Sequence, residues 1–326
     1  ELSVDDAGTV EFFGEVYVAA LTQSAGSGDT TFEQALDTTG AVDLTSDGTV
    51  THNGVATVAE DYTVSLGGDL AVNADLTAGS GLGGGTAISV STDTDGSGAG
   101  DFVVADGVGV SSSGLDIALT VNDFNLNSTG TITAGSGTIT IDEAPAGSAA
   151  GILMGDVTAG VYGVEISGDA AGSELGRIAA AELTINAISG ENILIDGVAA
   201  SQSNNITEVI LDAAAGGGSQ VSFDDGSSGN GSVFNNLTVR AAGSIDIDSL
   251  ALESDGGSGS GDLHFETPVI LSGDGTVRLI AAGTTRFDGS VSSTGATHES
   301  VKIVTEDFVL GDGSGTDDFD LGGTVG

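Results

Sequence analysis

The sequence predicts an all-β protein, a single elongated parallel β-helix (β-solenoid) in which short strands coil around a thin core. The main observation is a recurring three-residue segment with branched aliphatic or aromatic residues at its first and third positions, as at 183–185, 193–195, 209–211, 221–223, 237–239 and 245–247. Gly, Ala, Ser, Asn and Asp separate these segments. Alternation with a period of two, bounded by turn residues, is typical of strands with one buried face.

Composition and the lack of helical periodicity favour the same fold. The chain has 55 Gly and only 11 Phe among 326 residues. A β-sandwich of this length usually needs more aromatic core residues, whereas a solenoid fills its core with stacked Val, Ile, Leu and Ala. No segment shows a sustained helical period with caps, which disfavours alternating helices and strands. The alternative is a tandem array of β-sandwich domains, since these also have short strands at regular spacing.

The strand pattern runs along most of the chain in order. It starts with segments 9–12, 16–18, 30–32, 41–44, 49–50, 62–66, 70–72 and 87–90, and continues with 102–104, 108–110, 115–117, 124–126, 130–132 and 138–141. The Gly-rich spacers 79–86 and 93–100 are predicted exposed loops. After the central stretch come 263–265, 269–271, 277–280, 285–287, 301–304 and 308–310, followed by an acidic, Gly-rich end at 311–326.

Residues 143–163 are the least regular part of the sequence. They contain Pro145, the single Met154 and many Gly and Ala, so a short helix or a projecting loop fits them. We interpret them as an insertion in, or a boundary within, one continuous solenoid that spans residues 1–326.

The charge is strongly one-sided, with 5 Lys and Arg against 48 Asp and Glu and a formal net charge of −43. Phosphate binding requires clustered cations, so nucleic acid is excluded as a partner, and an anionic membrane surface would repel the chain. Repulsion among the carboxylates destabilises a compact fold unless salt or bound divalent cations offset it. We therefore expect a saline environment or bound divalent cations.

The chain has no cysteine, which excludes disulfides, thiolate zinc sites and thiol catalysis. No apolar stretch is long enough to span a bilayer, so no membrane insertion is predicted. The sequence starts at Glu1 without a signal peptide, and we expect a mature product or a segment of a larger chain.

Three stretches resemble recurring segments of large bacterial surface exoproteins of the filamentous-haemagglutinin type. They are Glu-Leu-Gly-Arg-Ile-Ala-Ala-Ala-Glu-Leu-Thr-Ile at 174–185, Ser-Val-Phe-Asn-Asn-Leu-Thr-Val-Arg-Ala-Ala-Gly-Ser-Ile at 232–245, and Leu-Thr-Gln-Ser-Ala-Gly-Ser-Gly-Asp-Thr-Thr-Phe at 21–32 followed by 37–44. Similar segments are scattered from about 21 to 310. The resemblance implies a right-handed parallel β-helix displayed outside the cell, and it carries no catalytic residues.

The histidines do not form a metal-binding pattern. His52, His264 and His298 are isolated from one another, without a pair at i,i+2 or i,i+4, so we interpret all three as surface residues. His264, between Leu263 and Phe265, is predicted to point away from the core.

Acidic pairs such as Asp5-Asp6, Asp224-Asp225 and Asp317-Asp318 raise the alternative of an enzyme. Polysaccharide lyases and hydrolases on β-helices use clustered carboxylates as calcium ligands or as an acid/base pair, usually with Arg or Lys. The whole basic inventory here is Arg177, Arg240, Arg278, Arg286 and Lys302. We predict no enzymatic activity, but convergence of Asp and Arg on one face of the solenoid would favour a secreted carbohydrate-active enzyme.

Calcium is the candidate metal. The segment Gly-Asp-Gly-Ser-Gly-Thr-Asp-Asp-Phe at 311–319 resembles the calcium-binding nonapeptide of secreted repeat proteins, with Asp312, Asp317 and Asp318 as candidate ligands. Segment 93–98 resembles it less closely. The nonapeptide does not recur in tandem here, so solvated acidic turns are the preferred interpretation of these segments.

The leading functional hypothesis is a non-enzymatic structural segment of an extracellular fibre, surface coat or adhesin. Segments 1–4 and 9–12 enter directly as strands, and 319–326 looks like an incomplete coil, so the ends of the solenoid lack caps. We expect copies of the chain, or flanking repeats of a larger chain, to stack head to tail. The alternatives are the lyase or hydrolase and a module that binds glycans.

Overall fold

Short parallel strands joined by tight turns coil into stacked sheets, as the alternating sequence predicts. The structure, a computed structural model, describes residues 1–5, 8–81, 83–144, 151–156, 162–168, 172–188, 190–215, 217–224, 231–248, 251–257, 259–272, 276–293, 300–311 and 319–320. These residues form a nearly all-β parallel solenoid of about 12 turns. The alternative of β-sandwiches is wrong, since the described strand pairs are parallel rather than antiparallel. Right-handedness stays a prediction.

The chain divides into two compact units, and the first comprises Glu1–Ala149 and Arg177–Ala181. Three parallel sheets form it. One contains Leu2–Val4, Leu21–Gln23, Val42–Ser46, Tyr62–Leu66, Thr86–Ser91, Asp116–Val121 and Thr138–Glu143. The next contains Val10–Phe12, Thr30–Phe32, Val50–His52, Leu70–Val72, Asp101–Val104 and Asp123–Leu126. The third contains Val16–Val18, Leu36–Thr38, Ala56–Val58, Leu76–Ala78, Gly109–Ser111, Thr131–Thr133 and the start of Ile178–Asn186.

The second unit comprises Ala150–Gly176 and Glu182–Gly326. Its strands also form three parallel sheets. One contains Ile206–Ala213, Leu237–Ala241, Leu263–Phe265, Thr284–Phe287 and Asp307–Leu310. Another contains Val164–Ser167, Ile152–Gly155, Ile193–Asp196, Val221–Asp224, Ile245–Ile247, Val269–Leu271, Val291–Ser293 and Phe319–Asp320. The third contains Ser232–Phe234, Ala251–Ser254, Thr276–Ala281 and Ser300–Val304. A 3-10 helix, Leu175–Arg177, and a short α-helix, Ala200–Ser203, precede strands. One continuous solenoid over residues 1–326 stays a prediction, since the chain divides into two units.

Segment 143–163 differs from its predicted form. Ile152–Gly155 is a strand with four buried residues, paired in parallel with Ile193–Asp196. The interpretation as a helix or a projecting loop is therefore wrong for these four residues. The strand Ile-Leu-Met-Gly lacks the alternation of polar and apolar residues because the residues on both of its faces are buried. The Gly and Ala around it therefore dominated the sequence pattern.

The core consists of inward side chains that stack in register from one coil to the next. Ile195 is fully buried and lies between Met154 and Phe223 of the flanking coils. Val209 stacks on Leu237 and Leu211 on Val239. The predicted stacking is thus confirmed for Ile193, Ile195, Val209 and Leu211. Each fully buried branched side chain contributes roughly 1.5–3 kcal/mol to folding.

One row of aromatic rings in the first unit includes a histidine. Phe12 stacks on Phe32 at 4.8 Å between ring centroids, and Phe32 stacks on His52 at 4.7 Å. His52 is fully buried, so its interpretation as a surface residue is wrong. The strand Val50–His52 turns its first and third residues inward, and the third is the histidine.

Side-chain oxygens in the turns join each coil to the next. Asp29 Oδ1 accepts the backbone N–H of Thr49 at 3.0 Å, and Asp116 Oδ1 accepts that of Thr138 at 2.9 Å. A neutral side chain does the same in the second unit, where Asn236 Oδ1 accepts the N–H of Gly261 at 2.7 Å. These bonds satisfy backbone amides in turns and at the start of a strand.

The first and last described coils expose part of their inward apolar residues. Leu2, Val4, Val10 and Phe12 point inward but are only half-buried. In the last coil of the second unit, Phe308 is 47% exposed although it lies in register with inward Thr285. Inward positions between these coils, such as Ile195, are buried between two neighbouring strands.

Candidate functional site

The basic residues of the second unit gather with carboxylates on the outer surface of one sheet. Asp212 lies in register with Arg240, and His264 lies in register with Arg286 on the adjacent strands. Glu266 and Asp288 directly follow two of these strands. We call this set the charged ladder: Asp212, Arg240, His264, Glu266, Arg286 and Asp288. Period-two alternation explains the arrangement, because residues between the buried positions of each strand face outward.

Arg240 joins two carboxylates in the charged ladder. Its Nη1 lies 3.2 Å from Asp212 Oδ2, and its Nε lies 3.2 Å from Glu266 Oε2. The Arg240 side chain is 36% exposed. At such partly exposed sites each ion pair contributes roughly 0.2–1 kcal/mol to stability. The guanidinium therefore contacts two carboxylates while the side chain as a whole stays partly exposed.

Asp288 is shared by a histidine and an arginine. His264 Nε2 lies 2.8 Å from Asp288 Oδ2, and Arg286 Nε lies 2.6 Å from Asp288 Oδ1. His264 Nδ1 also lies 3.9 Å from Glu266 Oε1. Burial raises the pKa of Asp288, but the hydrogen bonds and positive charges of His264 and Arg286 outweigh it, so this pKa is below its ordinary value. His264 faces outward, as predicted.

The Asp288 carboxyl group of the charged ladder is not suited to act as a general acid. A general acid at neutral pH needs a carboxyl group with a raised pKa, and the pKa of Asp288 is lowered. Guanidinium groups at spacings of one strand can instead donate to the hydroxyl and carboxylate oxygens of a polymer, and the neighbouring carboxylates can accept from its hydroxyl groups. The convergence of Asp and Arg is nevertheless the feature that favours the carbohydrate-active alternative.

Comparison with known proteins identifies no relative. The chain matches no protein-family model, no curated protein and no solved structure.

The predicted calcium ligands Asp312, Asp317 and Asp318 lie outside the described residues, as does His298. Within the described part of the chain, no three His, Asp or Glu side chains are grouped so that they could hold a metal ion. Segment 93–98 is described. Its centre is exposed, as predicted for a loop, but Asp93 at its start is fully buried.

The other basic residues do not join the charged ladder. Arg177 donates its Nε–H to the carbonyl of Gly130 at 3.0 Å and a second N–H to the carbonyl of Leu126. It therefore holds backbone within the first unit. Arg278 and Lys302 are exposed and lie in register on adjacent strands.

An open depression of about 340 Å³ lies on the first unit, lined by Tyr17, Val18, Ala19, Asp37 and Thr39. Tyr17 is 64% exposed, and hydrogen bonding to Glu15 raises the pKa of its hydroxyl. The depression brings together one carboxylate and no cation, so it offers no catalytic constellation.

No helix among the described residues is long and apolar enough to cross a membrane.

Sequence reasoning missed the charged ladder because its members are separated by unequal intervals along the chain. The usable signal is the position of each residue relative to a buried strand. Arg240 and Glu266 each follow a Val or Phe that faces inward, so both face outward in the same row. Alignment of the strands by their apolar residues would have revealed this row.

Proposed function

We propose that this chain is a structural segment, without enzymatic activity, of an extracellular fibre, surface coat or adhesin in which β-coils continue end to end. The observation that carries the proposal is the partly exposed core of the end coils. Val10 and Phe12 are only half-buried, and one side of the strand Val10–Phe12 is unpaired in the described part of the chain.

The physics of solenoids supports an additional coil at this edge. Each coil buries the apolar face of its neighbour, and unpaired edges attract another strand unless they are capped. A coil that stacks here would pair with the backbone of Val10–Phe12 and cover the half-exposed aromatic ring of Phe12. Further residues of the same polypeptide or a second copy can supply it, and a head-to-tail contact between copies gives a filament.

Membership of the filamentous-haemagglutinin type, and a location outside the cell, belong to the same proposal. They rest on the parallel solenoid, the acidic surface and the resembling segments. The shortage of cations also disfavours nucleic acid as a partner.

Assembly can be tested with one residue at the edge. The chain is examined by light scattering and electron microscopy in 1 M NaCl, where the Debye length is about 3 Å and repulsion is screened. We expect rods whose length grows with protein concentration. Val10→Lys, which places a charge on the open edge, should abolish the growth. Phe13→Lys is the matched control, because Phe13 is 73% exposed in the same coil. Monodisperse single chains at every concentration would contradict the proposal.

A second candidate function is glycan binding through the charged ladder. The observation that favours it is the convergence of two Arg and a His with three carboxylates on one face. Uronate-containing and neutral polysaccharides can be compared as immobilised ligands. Arg240→Met should weaken retention, whereas Arg278→Met, on another sheet, should not. Release of unsaturated or reducing sugar ends by the unmodified chain would instead establish the lyase or hydrolase.

A further inference from the structure

Asp93 is a buried carboxylate with one oxygen unpartnered. The residue is fully buried and adopts a positive φ of 54°, which Asp tolerates better than most residues. Its Oδ1 accepts hydrogen bonds from the Ser97 hydroxyl at 3.2 Å and from the N–H of Gly98 at 3.0 Å. Its Oδ2 has no hydrogen-bond partner. Burying an ionised oxygen without a partner is costly, so its environment must supply a compensating group.

The loop after Asp93 brings a second carboxylate to the same place. The N–H of Ser97 donates to Asp95 Oδ1 at 3.0 Å, while the Ser97 hydroxyl donates to Asp93. Ser97 therefore bonds to both carboxylates. On the other side, the backbone of Gly100 closes against Asp93, and a Cβ at Gly100 would lie 2.4 Å from the Asp93 nitrogen. The Thr92 hydroxyl fixes the Gly100 carbonyl.

The surroundings are uniformly negative. Asp101 follows Gly100, and its N–H donates to Asp69 Oδ1 at 2.9 Å. Burial raises the pKa of Asp101, and the charges of Asp69 and Asp93 raise it further, against a hydrogen bond from Asn122. Among the described residues, no cationic side chain pairs with these carboxylates, which leaves room for a cation from solution.

We propose that Asp93 and Asp95 bind a calcium ion, with Asp93 Oδ2 as the buried ligand. Calcium takes 6–8 oxygen ligands in flexible geometry, and loop carbonyls and water can complete the set around two carboxylates. Magnesium fits less well, because it demands near-ideal octahedral geometry and gives up its water reluctantly. Since only two carboxylates contribute, we expect a dissociation constant on the order of 10⁻⁴–10⁻³ M, as in extracellular calcium modules.

The ion would fasten loop 93–100 between the strands Thr86–Ser91 and Asp101–Val104. Both strands belong to the first unit, so the site stabilises coils within that unit. Calcium binding here is independent of whether coils assemble end to end.

The test measures calcium binding by equilibrium dialysis and thermal unfolding of the full chain, at constant ionic strength. Asp93→Asn and Asp95→Asn should each bind one calcium fewer than the unmodified chain and lose part of its calcium-dependent rise in Tm. Asp43→Asn is the matched control, since Asp43 is exposed and points outward from the strand Val42–Ser46. In EDTA, Asp93→Asn should be at least as stable as the unmodified chain, because it removes the unpaired buried charge.

Several results would overturn the proposal. One is a calcium stoichiometry and Tm shift in Asp93→Asn and Asp95→Asn equal to those of the control. Another is the absence of calcium binding by the unmodified chain at 5 mM (about five times the weakest expected dissociation constant). An equal rise in Tm with MgCl₂ would reject the assignment to calcium. If Asp93→Asn fails to fold, Asp95→Asn still decides, because Asp95 is exposed.

Discussion

The Nε2 of His52 lies 2.7 Å from the hydroxyl oxygen of Tyr62, and both side chains are fully buried. The two rings meet at 5.6 Å between centroids, and His52 also stacks on Phe32. Burial lowers the pKa of His52 to about 4, and it raises the pKa of Tyr62. The pair is therefore neutral in the folded protein at neutral pH. The Nε2 of His52 and the hydroxyl of Tyr62 satisfy each other, whereas His52 Nδ1 is buried with no hydrogen-bond partner among the described residues.

Stability should depend on pH through His52. Its pKa is about 4 in the folded chain and 6.5 in the unfolded chain. Below pH 6.5, His52 therefore becomes protonated in the unfolded chain while it stays neutral in the folded chain. The contribution of neutral His52 to the free energy of unfolding is complete above pH 6.5. It is lost as the pH falls towards 4, by roughly 3 kcal/mol in total. Chemical unfolding at several pH values in 1 M NaCl measures it.

The control for this pH dependence is a pair of variants. His52→Phe combined with Tyr62→Phe removes the titrating group and leaves no unpaired hydroxyl, so the loss between pH 6.5 and 4 should shrink. Tyr62→Phe alone keeps the buried imidazole and should retain the loss. Identical profiles for the double variant and the unmodified chain would show that another group titrates.

Phe32 should be a major contributor to the stability of the first unit. It is fully buried between Phe12 and His52, so Phe32→Ala leaves a cavity and should cost roughly 3–5 kcal/mol. Phe13→Ala removes the same ring from an exposed position, and should change stability by less than about 0.5 kcal/mol. Denaturant unfolding compares the two. Equal losses would contradict the stacked core.

The inward position of Ile195 gives a test in the second unit. Ile195→Asp places an unpaired charge between Met154 and Phe223 and should cost roughly 3–5 kcal/mol. Leu194→Asp puts the same charge on the opposite, partly exposed side of the strand. We expect its melting temperature to fall much less. A melting temperature unchanged by Ile195→Asp would disprove the inward assignment.

Salt should stabilise the chain. With a net charge of −43, repulsion among carboxylates opposes folding at low ionic strength, and the Debye length falls from about 10 Å at 0.1 M to about 3 Å at 1 M. Melting temperatures should rise with NaCl over this range. Parallel melts in CaCl₂ and EDTA at matched ionic strength separate screening from specific binding. Indifference to all three would refute the idea that repulsion limits stability.

The sequence was most informative where alternation is strict. Tyr62–Leu66 and Leu70–Val72 have the predicted bounds, because inward and outward residues differ clearly in polarity. The sequence pattern does not predict the strands Leu36–Thr38 and Ala56–Val58. Their inward positions include Thr38 and Ala56, which are buried because a neighbouring coil stacks on them. Burial in these coils depends on stacking rather than on local hydrophobicity.

His52 shows what a different pattern would have revealed. Phe12, Phe32, His52 and Val72 recur at the 20-residue spacing that also separates hydrogen-bonded Asn53 and Asn73. A search for this interval predicts that His52 occupies an inward row. The charged ladder offers no such interval, because the coils of the second unit differ in length. Its members come together only once the register of the strands is known.

The side-chain oxygens that accept hydrogen bonds between coils show that coil geometry and surface charge are separate properties. Asp29 and Asp116 hold the next coil through a single carboxylate oxygen, and Asn236 performs the same task with an amide oxygen. This position therefore requires an oxygen atom that accepts a hydrogen bond, but it does not require a negative charge. A copy of this chain with asparagine in place of Asp29 and Asp116 should wind in the same way and carry two fewer negative charges. Coil geometry and surface charge can therefore be altered independently at these positions.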